Sequence, residues 1–232
     1  MNTPSATRKG ILAVWTDIAP EAESDFIAWY DREHLPERAG NEGFLNARRY
    51  RALEGAPRTF AAYDTASLAA LGSPAYAHAL AHQTPWSMRM FPHFRDTQRM
   101  IGEQVADHGR GMGGALLTLR YRFGDGEADP LRRAAGDGAL AALCEKEGIV
   151  RVTAVLGAWS EIGSDAAETV QRVAEAPDAG LVIVEGTSRG VLAGARTILL
   201  KGGQSLLPKE AGIPDVGLYA LQCAVTRGEV TD

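Results

Sequence analysis

The chain has 232 residues, 45% hydrophobic and 23% charged, with a formal net charge of −5. That is enough apolar chain for a core without disulfide or metal staples, and it excludes general disorder. The charge balance offers no basic field for nucleic acid or an anionic membrane. No apolar run approaches a bilayer span and the first residues carry no signal-like stretch, so the expectation is a cytoplasmic protein.

In chain order, β-branched and aromatic residues predict a strand over 11–18. A helix follows over 23–38, with Phe26, Tyr30 and His34 at i, i+4 and i+8 on one stripe. Strands over 44–53 and 59–65 are joined through Gly55-Ala56-Pro57. A helical region opens at Ser67, breaks at Gly72, and restarts with Ser73 as N-cap and Pro74 in the first turn, running to about Gln83. A strand near 95–105 completes this run, and the glycine-rich residues 106–114 read as a linker. The remainder reads as strand 115–123, helix 130–146, strand 149–157 and an inserted polar helix around 164–176. Strand 181–185, helix 188–199 and strand 216–226 end the chain.

The two runs form an internal repeat. Residues 11–18 and 116–123 lie 105 positions apart, as do Glu42-Gly43 and Glu147-Gly148. Residues 60–67 and 181–188 lie 121 apart, which leaves a 16-residue insertion in the second copy. The expected domains are 1–108, carrying the candidate site, and 109–232, a degenerate copy with a helical insertion near 160–178. Each copy reads βαββαβ, so the fold class is α+β with tandem ferredoxin-like repeats. One face of each four-stranded sheet lacks helices. Two antiparallel sheets are therefore expected to face each other as an α/β barrel, with the pocket in the lumen.

The segment Trp29-Tyr30-Asp31-Arg32-Glu33-His34-Leu35-Pro36-Glu37-Arg38, followed by Gly43-Phe44-Leu45-Asn46-Ala47-Arg48-Arg49-Tyr50, carries a resemblance. It resembles the EthD-like proteins of the dimeric α/β-barrel superfamily, whose first helix commonly ends in a Glu-His-x-Pro type signature. The resemblance implies two ferredoxin-like units closing one barrel, from two chains or a tandem pair, and a homodimer. It also implies a range of chemistries: small dehydratases, muconolactone-type isomerases, cofactor-free monooxygenases and haem-handling proteins. It is clearest over 11–100 and extends over 115–226 as a fold pattern. At the 105-residue offset, Trp29, Asp31, Glu33, His34 and Pro36 map to Ala134, Gly136, Gly138, Ala139 and Ala141, so the second copy lacks the polar equipment.

His34 is the first catalytic candidate, because imidazole titrates in the range useful for proton transfer. Asp31 on the same face would hold its tautomer, and Pro36 would end the helix and fix its position. The alternative is a histidine that caps its own helix C-terminus. Arg48, sharing a strand face with Phe44, Asn46 and Tyr50, is expected to stabilise developing negative charge. A rim salt bridge is the other fate for Arg48 or Arg49.

Trp15, Tyr30, Asn46, Tyr50, Trp86, Arg89 and His93 are the expected substrate-binding residues. The last three come from the aromatic, proline-bracketed segment 84–94, which reads as a pocket-covering loop or as a hydrophobic plug of the barrel end. His78 and His82 have a chelating spacing but no acidic or cysteine ligand nearby in sequence, so no metal is expected. Gly109-x-Gly111-x-x-Gly114 precedes a strand instead of joining strand to helix, which rejects a dinucleotide fingerprint. Cys144 and Cys223 match no zinc spacing and sit on apolar stretches as inert thiols.

The expected function is a cofactor-independent enzyme that moves a proton on a small aromatic, polyketide-like or organic-acid substrate, of lyase or isomerase type. His34→Ala is then expected to abolish turnover with stability within roughly 1 kcal/mol of the parent. The alternatives are a non-catalytic small-molecule-binding barrel and, with less behind it, a cofactor-free monooxygenase or haem-handling protein.

Overall fold

A computed structural model describes residues 8–122, 130–158, 173–174, 179–201 and 215–230. Strand β1 (Gly10–Ile18) leads into one helical stretch made of α1 (Glu23–Trp29), a π-helical turn (Tyr30–His34) and α2 (Leu35–Gly40). Strands β2 (Phe44–Glu54) and β3 (Thr59–Thr65) follow, then α3 (Pro74–Ala81), α4 (Pro85–Met90) and β4 (Phe94–Gly109). The second run begins with β5 (Ala115–Arg122), α5 (Pro130–Gly136), α6 (Ala139–Cys144) and β6 (Ile149–Gly157). It continues with the short β7 (Val173–Ala174), β8 (Ala179–Gly186), α7 (Arg189–Lys201) and β9 (Asp215–Thr226).

Eight of these strands close into an antiparallel barrel in the order β1-β3-β2-β9-β5-β8-β6-β4, with β4 returning to β1. The seams between the two ferredoxin-like units are β2–β9 and β4–β6, so closure happens within one chain. A closed barrel leaves its eight strands no free edge to offer a second copy.

Local chemistry explains most boundaries. Ser73 accepts from the Tyr76 backbone N–H at 3.1 Å, with Pro74 in the first turn of α3. The single helix expected over 130–146 is two, because Gly138 adopts φ +73°, a left-handed conformation that interrupts the helix. Residues 106–109 are not linker; they extend β4 and pair with β6. Most of the expected insertion helix lies outside the described residues, but Val173–Ala174 form a strand, parallel to β4 at Gln98 and Arg99. Segment 84–94 is helical instead of a loop, since Thr84 caps α4 by accepting from the Ser87 N–H at 3.0 Å.

Alternation along the strands sorts side chains into three layers. Leu12, Val14, Tyr63 and Ile101 face outward and pack with Phe26, Trp29, Phe44 and Tyr76 under α1–α4. Leu119, Val152, Val182 and Val184 face outward and pack with Leu131, Leu140, Leu143, Leu192 and Leu199 under α5–α7. Inside, Ile11, Trp15, Tyr50, Phe60, Met100, Leu116, Val155, Leu181, Ile183 and Tyr219 meet one another. Eight strands enclose little more than room for their own side chains. A Cβ on Gly102 would stand 2.6 Å from the Leu156 carbonyl oxygen and also collide with Val155. Among the described residues, the lumen-facing side chains form packed core where the sequence led to an expected pocket.

One end of that core is charged. Arg48 donates to Glu185 at 2.6 Å and to Asp64 at 2.9 Å. Arg151 donates to Asp64 at 2.8 Å and to Asp107 at 2.7 Å, and Lys9 reaches Asp107 at 2.9 Å. The Asn46 and Gln104 amides add N–H bonds to Asp64 at 3.1 and 3.0 Å, and the Gly113 backbone N–H donates to Glu185 at 3.0 Å. Arg48 and Asp64 belong to the first unit, Arg151 and Glu185 to the second, so this network ties the units together across the lumen.

Burial pushes the Asp64 carboxyl up, but Arg48 and then Arg151 outweigh it and hold it at about 2, against an ordinary 3.8. A depressed folded pKa means stability that is present above about pH 4 and lost as pH falls toward 2. Acid unfolding followed by circular dichroism should therefore steepen over that window, and Asp64→Asn should flatten that limb of the profile.

Candidate active site

The helical stretch from Glu23 to Gly40 places Phe26, Tyr30, His34 and Arg38 on one buried face, each four residues from the last. Pro36 does not end it, contrary to expectation. Proline lacks the N–H that would bond the Arg32 carbonyl, and its ring crowds that oxygen. The preceding turn widens to accommodate it, with the Leu35 N–H bonding the Tyr30 carbonyl five residues back.

That wider turn aligns residues five apart. Trp29 consequently stacks on His34, ring centroids 4.3 Å apart, while Tyr30 and Tyr63 meet the imidazole edge-on at 5.0 and 6.2 Å. His34 is 3% exposed and the helix continues beyond it to Gly40, so it is not a C-terminal cap.

Two buried arginines share this layer. Arg38, one turn after His34, donates to Gln83 Oε1 at 3.4 Å, lies 3.8 Å from Glu37, and sits 5.8 Å from the Tyr76 ring centroid. Arg99 of β4 donates to the Tyr76 hydroxyl at 3.4 Å. Tyr76 thus lies between two guanidiniums, both 1% exposed. An imidazole for proton transfer, aromatic walls for a planar ring and guanidiniums for an anion occur together in one layer. The matching layer of the second unit, among the described residues, buries aliphatic side chains and Tyr121.

Segment 84–94 is fastened over this layer. Glu33 Oε1 accepts from Thr84 Oγ1 at 2.5 Å, from Trp29 Nε1 at 3.1 Å and from Ser87 Oγ at 3.5 Å. Trp86 Nε1 donates to Asp25 at 3.0 Å. Thr84→Val removes both the α4 cap and the hold on Glu33. It should lower stability by about 1–2 kcal/mol in thermal unfolding.

The sheet divides the other expected site residues. Asn46, Arg48 and Tyr50 point into the lumen, where Arg48 is sealed between carboxylates on the far side of β2 from His34. Burial, opposed only in part by Arg48, pushes the Tyr50 hydroxyl well above the ordinary tyrosine range. Phe44 does not share their face, because a bulge between Phe44 and Asn46 turns it outward against Tyr76 at 4.9 Å. Asp31 faces Arg49, which engages both its oxygens at 3.0 Å.

Trp15 lies in the lumen under Arg120, 4.6 Å from ring centroid to guanidinium carbon. Arg89 is exposed and donates to the Pro85 carbonyl; the carbonyl of half-buried His93 accepts from the Ala19 N–H. His78 and His82 stack at 3.9 Å on an exposed face, and no group of three metal-ligating side chains occurs among the described residues. Sequence reasoning missed Arg38, Tyr63, Tyr76 and Arg99. Arg38 had a signal, since it is the next member of the stripe Phe26, Tyr30, His34. The other three are brought in by tertiary packing.

No known family profile matches this sequence, and no curated protein matches it. Solved structures do share the fold. An anthrone oxidase-like protein superposes with a TM-score of 0.66 at 13% identity, over 97% of this chain and 95% of that one. A putative monooxygenase from Fusobacterium nucleatum gives 0.63 at 7% identity over 96% of each chain. A haem-binding protein from Thermus thermophilus gives 0.51 at 9% identity, over 92% of this chain and 91% of that one. The chain has the dimeric α/β-barrel fold of monooxygenase-like, anthrone oxidase-like and chlorite dismutase-like proteins. No described helix is long and apolar enough to cross a membrane.

Proposed function

We propose that this chain is a cofactor-independent enzyme of lyase or isomerase type, acting on a small planar substrate that becomes anionic as it reacts. The site is the layer between the helix at 23–40 and the first four strands. One observation carries the reading: His34 is buried against Trp29, Tyr30 and Tyr63 in the layer that also buries Arg38 and Arg99, while the matching layer, among the described residues, buries aliphatic side chains and Tyr121. In the proposed step, His34 takes a proton from carbon beside a carbonyl. The enolate charge falls to Arg38 and Arg99. The imidazolium then returns the proton to another carbon, or to a departing hydroxyl that leaves as water. Substrate would enter past segment 84–94, whose hold on the helix is a handful of hydrogen bonds.

Near-complete burial of His34 also favours a second reading, a barrel that binds without chemistry. The two separate in one experiment. Wild type and His34→Gln are incubated with a pooled small-molecule extract and followed by mass spectrometry over time. Conversion by wild type alone supports the enzyme; equal stoichiometric capture by both, without conversion, supports the binding module.

A haem would have to draw any histidine ligand from the first unit, since no histidine follows His108 in the sequence. The EthD-like relationship and a homodimer belong to the same proposal, supported by the 29–38 segment; a cytoplasmic location belongs to it too, on the charge and hydropathy pattern. Light scattering behind gel filtration should then give twice the chain mass.

A further inference from the structure

The second unit holds a groove remote from His34. It lies between α7 and the neighbouring ends of β5, β9 and β2, with a volume of about 420 Å³, within the range of small-molecule sites. Helix α7 turns Leu192, Ala195 and Leu199 toward the core. Beside that stripe, Ala193, Arg196, Thr197 and Leu200 fall at i, i+3, i+4 and i+7 and line the groove. Leu117 and Leu218 complete an apolar floor with Leu192.

The rim is charged and unbalanced. Glu54, at the end of β2, pairs with Arg189 and, at 3.3 Å, with Arg196. Among the described lining residues one carboxylate therefore faces two guanidiniums, a single positive charge in excess. The Arg189 and Arg196 side chains are 60% and 45% exposed, so their heads are wet while the leucines beneath are dry.

We propose that this groove binds a small amphipathic monoanion, a carboxylate with an alkyl or aryl body. The carboxylate meets Arg189 and Arg196 in a solvated, charge-assisted contact, and the body lies on Leu117, Leu192, Leu200 and Leu218. A neutral apolar ligand leaves the excess charge unmatched. A polyanion exceeds that charge and finds no donors on the leucine floor. The site is independent of the proton-transfer reading.

The test uses the full chain and two probes of equal length, decanoate and decanol, in calorimetric titration and methyl NMR. Decanoate should bind one to one and shift the Leu192 and Leu218 methyls, with decanol at least about tenfold weaker. Arg196→Gln should weaken decanoate by about tenfold, and Glu54→Gln, which removes the competing carboxylate, should tighten it. Ala193→Trp, at an exposed position on α7, should fill the groove and abolish binding. The proposal is overturned by absent saturation at millimolar decanoate, by equal affinity for both probes, or by decanoate binding that survives Ala193→Trp.

Discussion

Arg48→Met should cost about 3–5 kcal/mol of stability, read from the midpoint of urea unfolding at neutral pH. Arg48 is 1% exposed and stands between Asp64 and Glu185 at 2.9 and 2.6 Å. Methionine fills much of the volume but leaves two carboxylates in the lumen with Arg151 as their main cation, 2.8 Å from Asp64 and 3.8 Å from Glu185. Most of the loss comes from that uncompensated charge, not from the missing contacts. Two further results follow from this cause. Adding Glu185→Gln should restore part of the loss through a coupling of roughly 0.5–3 kcal/mol. The deficit should also shrink as pH falls, because Asp64 without Arg48 regains its proton more readily. A loss under about 1 kcal/mol would mean that the network does not hold the two units together.

His34→Gln should lower kcat by roughly 10²–10⁴-fold and leave KM nearly unchanged, if the imidazole moves the proton while Arg38 and Arg99 hold the anion. Arg38→Gln should do the reverse in part, raising KM. Glutamine is the variant to use, because the site is buried. Truncation to alanine removes a ring that Trp29 stacks on and leaves a cavity costing about 2–3 kcal/mol, more than the near-neutral change expected from the sequence. A pH–rate profile that keeps its acidic limb in His34→Gln would assign the proton transfer to another group.

The local chain determined a good deal by itself. Period-two and period-3.6 patterns outlined the βαββαβ order twice, and Ser73-Pro74 marked a helix start that the hydrogen bond to Tyr76 bears out. The stripe Phe26, Tyr30, His34 identified the buried face of the first helix, and its next member, Arg38, was legible there. Pro36 read as a stop. It became a widened turn because tertiary packing kept the helix going beyond it, and the stacking of Trp29 on His34 follows from that turn.

Closure of the barrel decided the rest. Periodicity says that Arg48 and Arg49 point opposite ways; it cannot say which side becomes the inside. Arg48 meets Asp64 and Glu185, 16 and 137 residues away, and Tyr76 meets Arg99 from a different element. A bulge at Phe44 reassigns that side chain to the opposite face. Side-chain alternation and helical stripes are properties of neighbouring residues and survive in the sequence alone. Register, bulges and the sealing of charges in a lumen depend on where distant strands meet, so only the folded chain puts Arg48 inside the barrel and His34 outside it, against Tyr63.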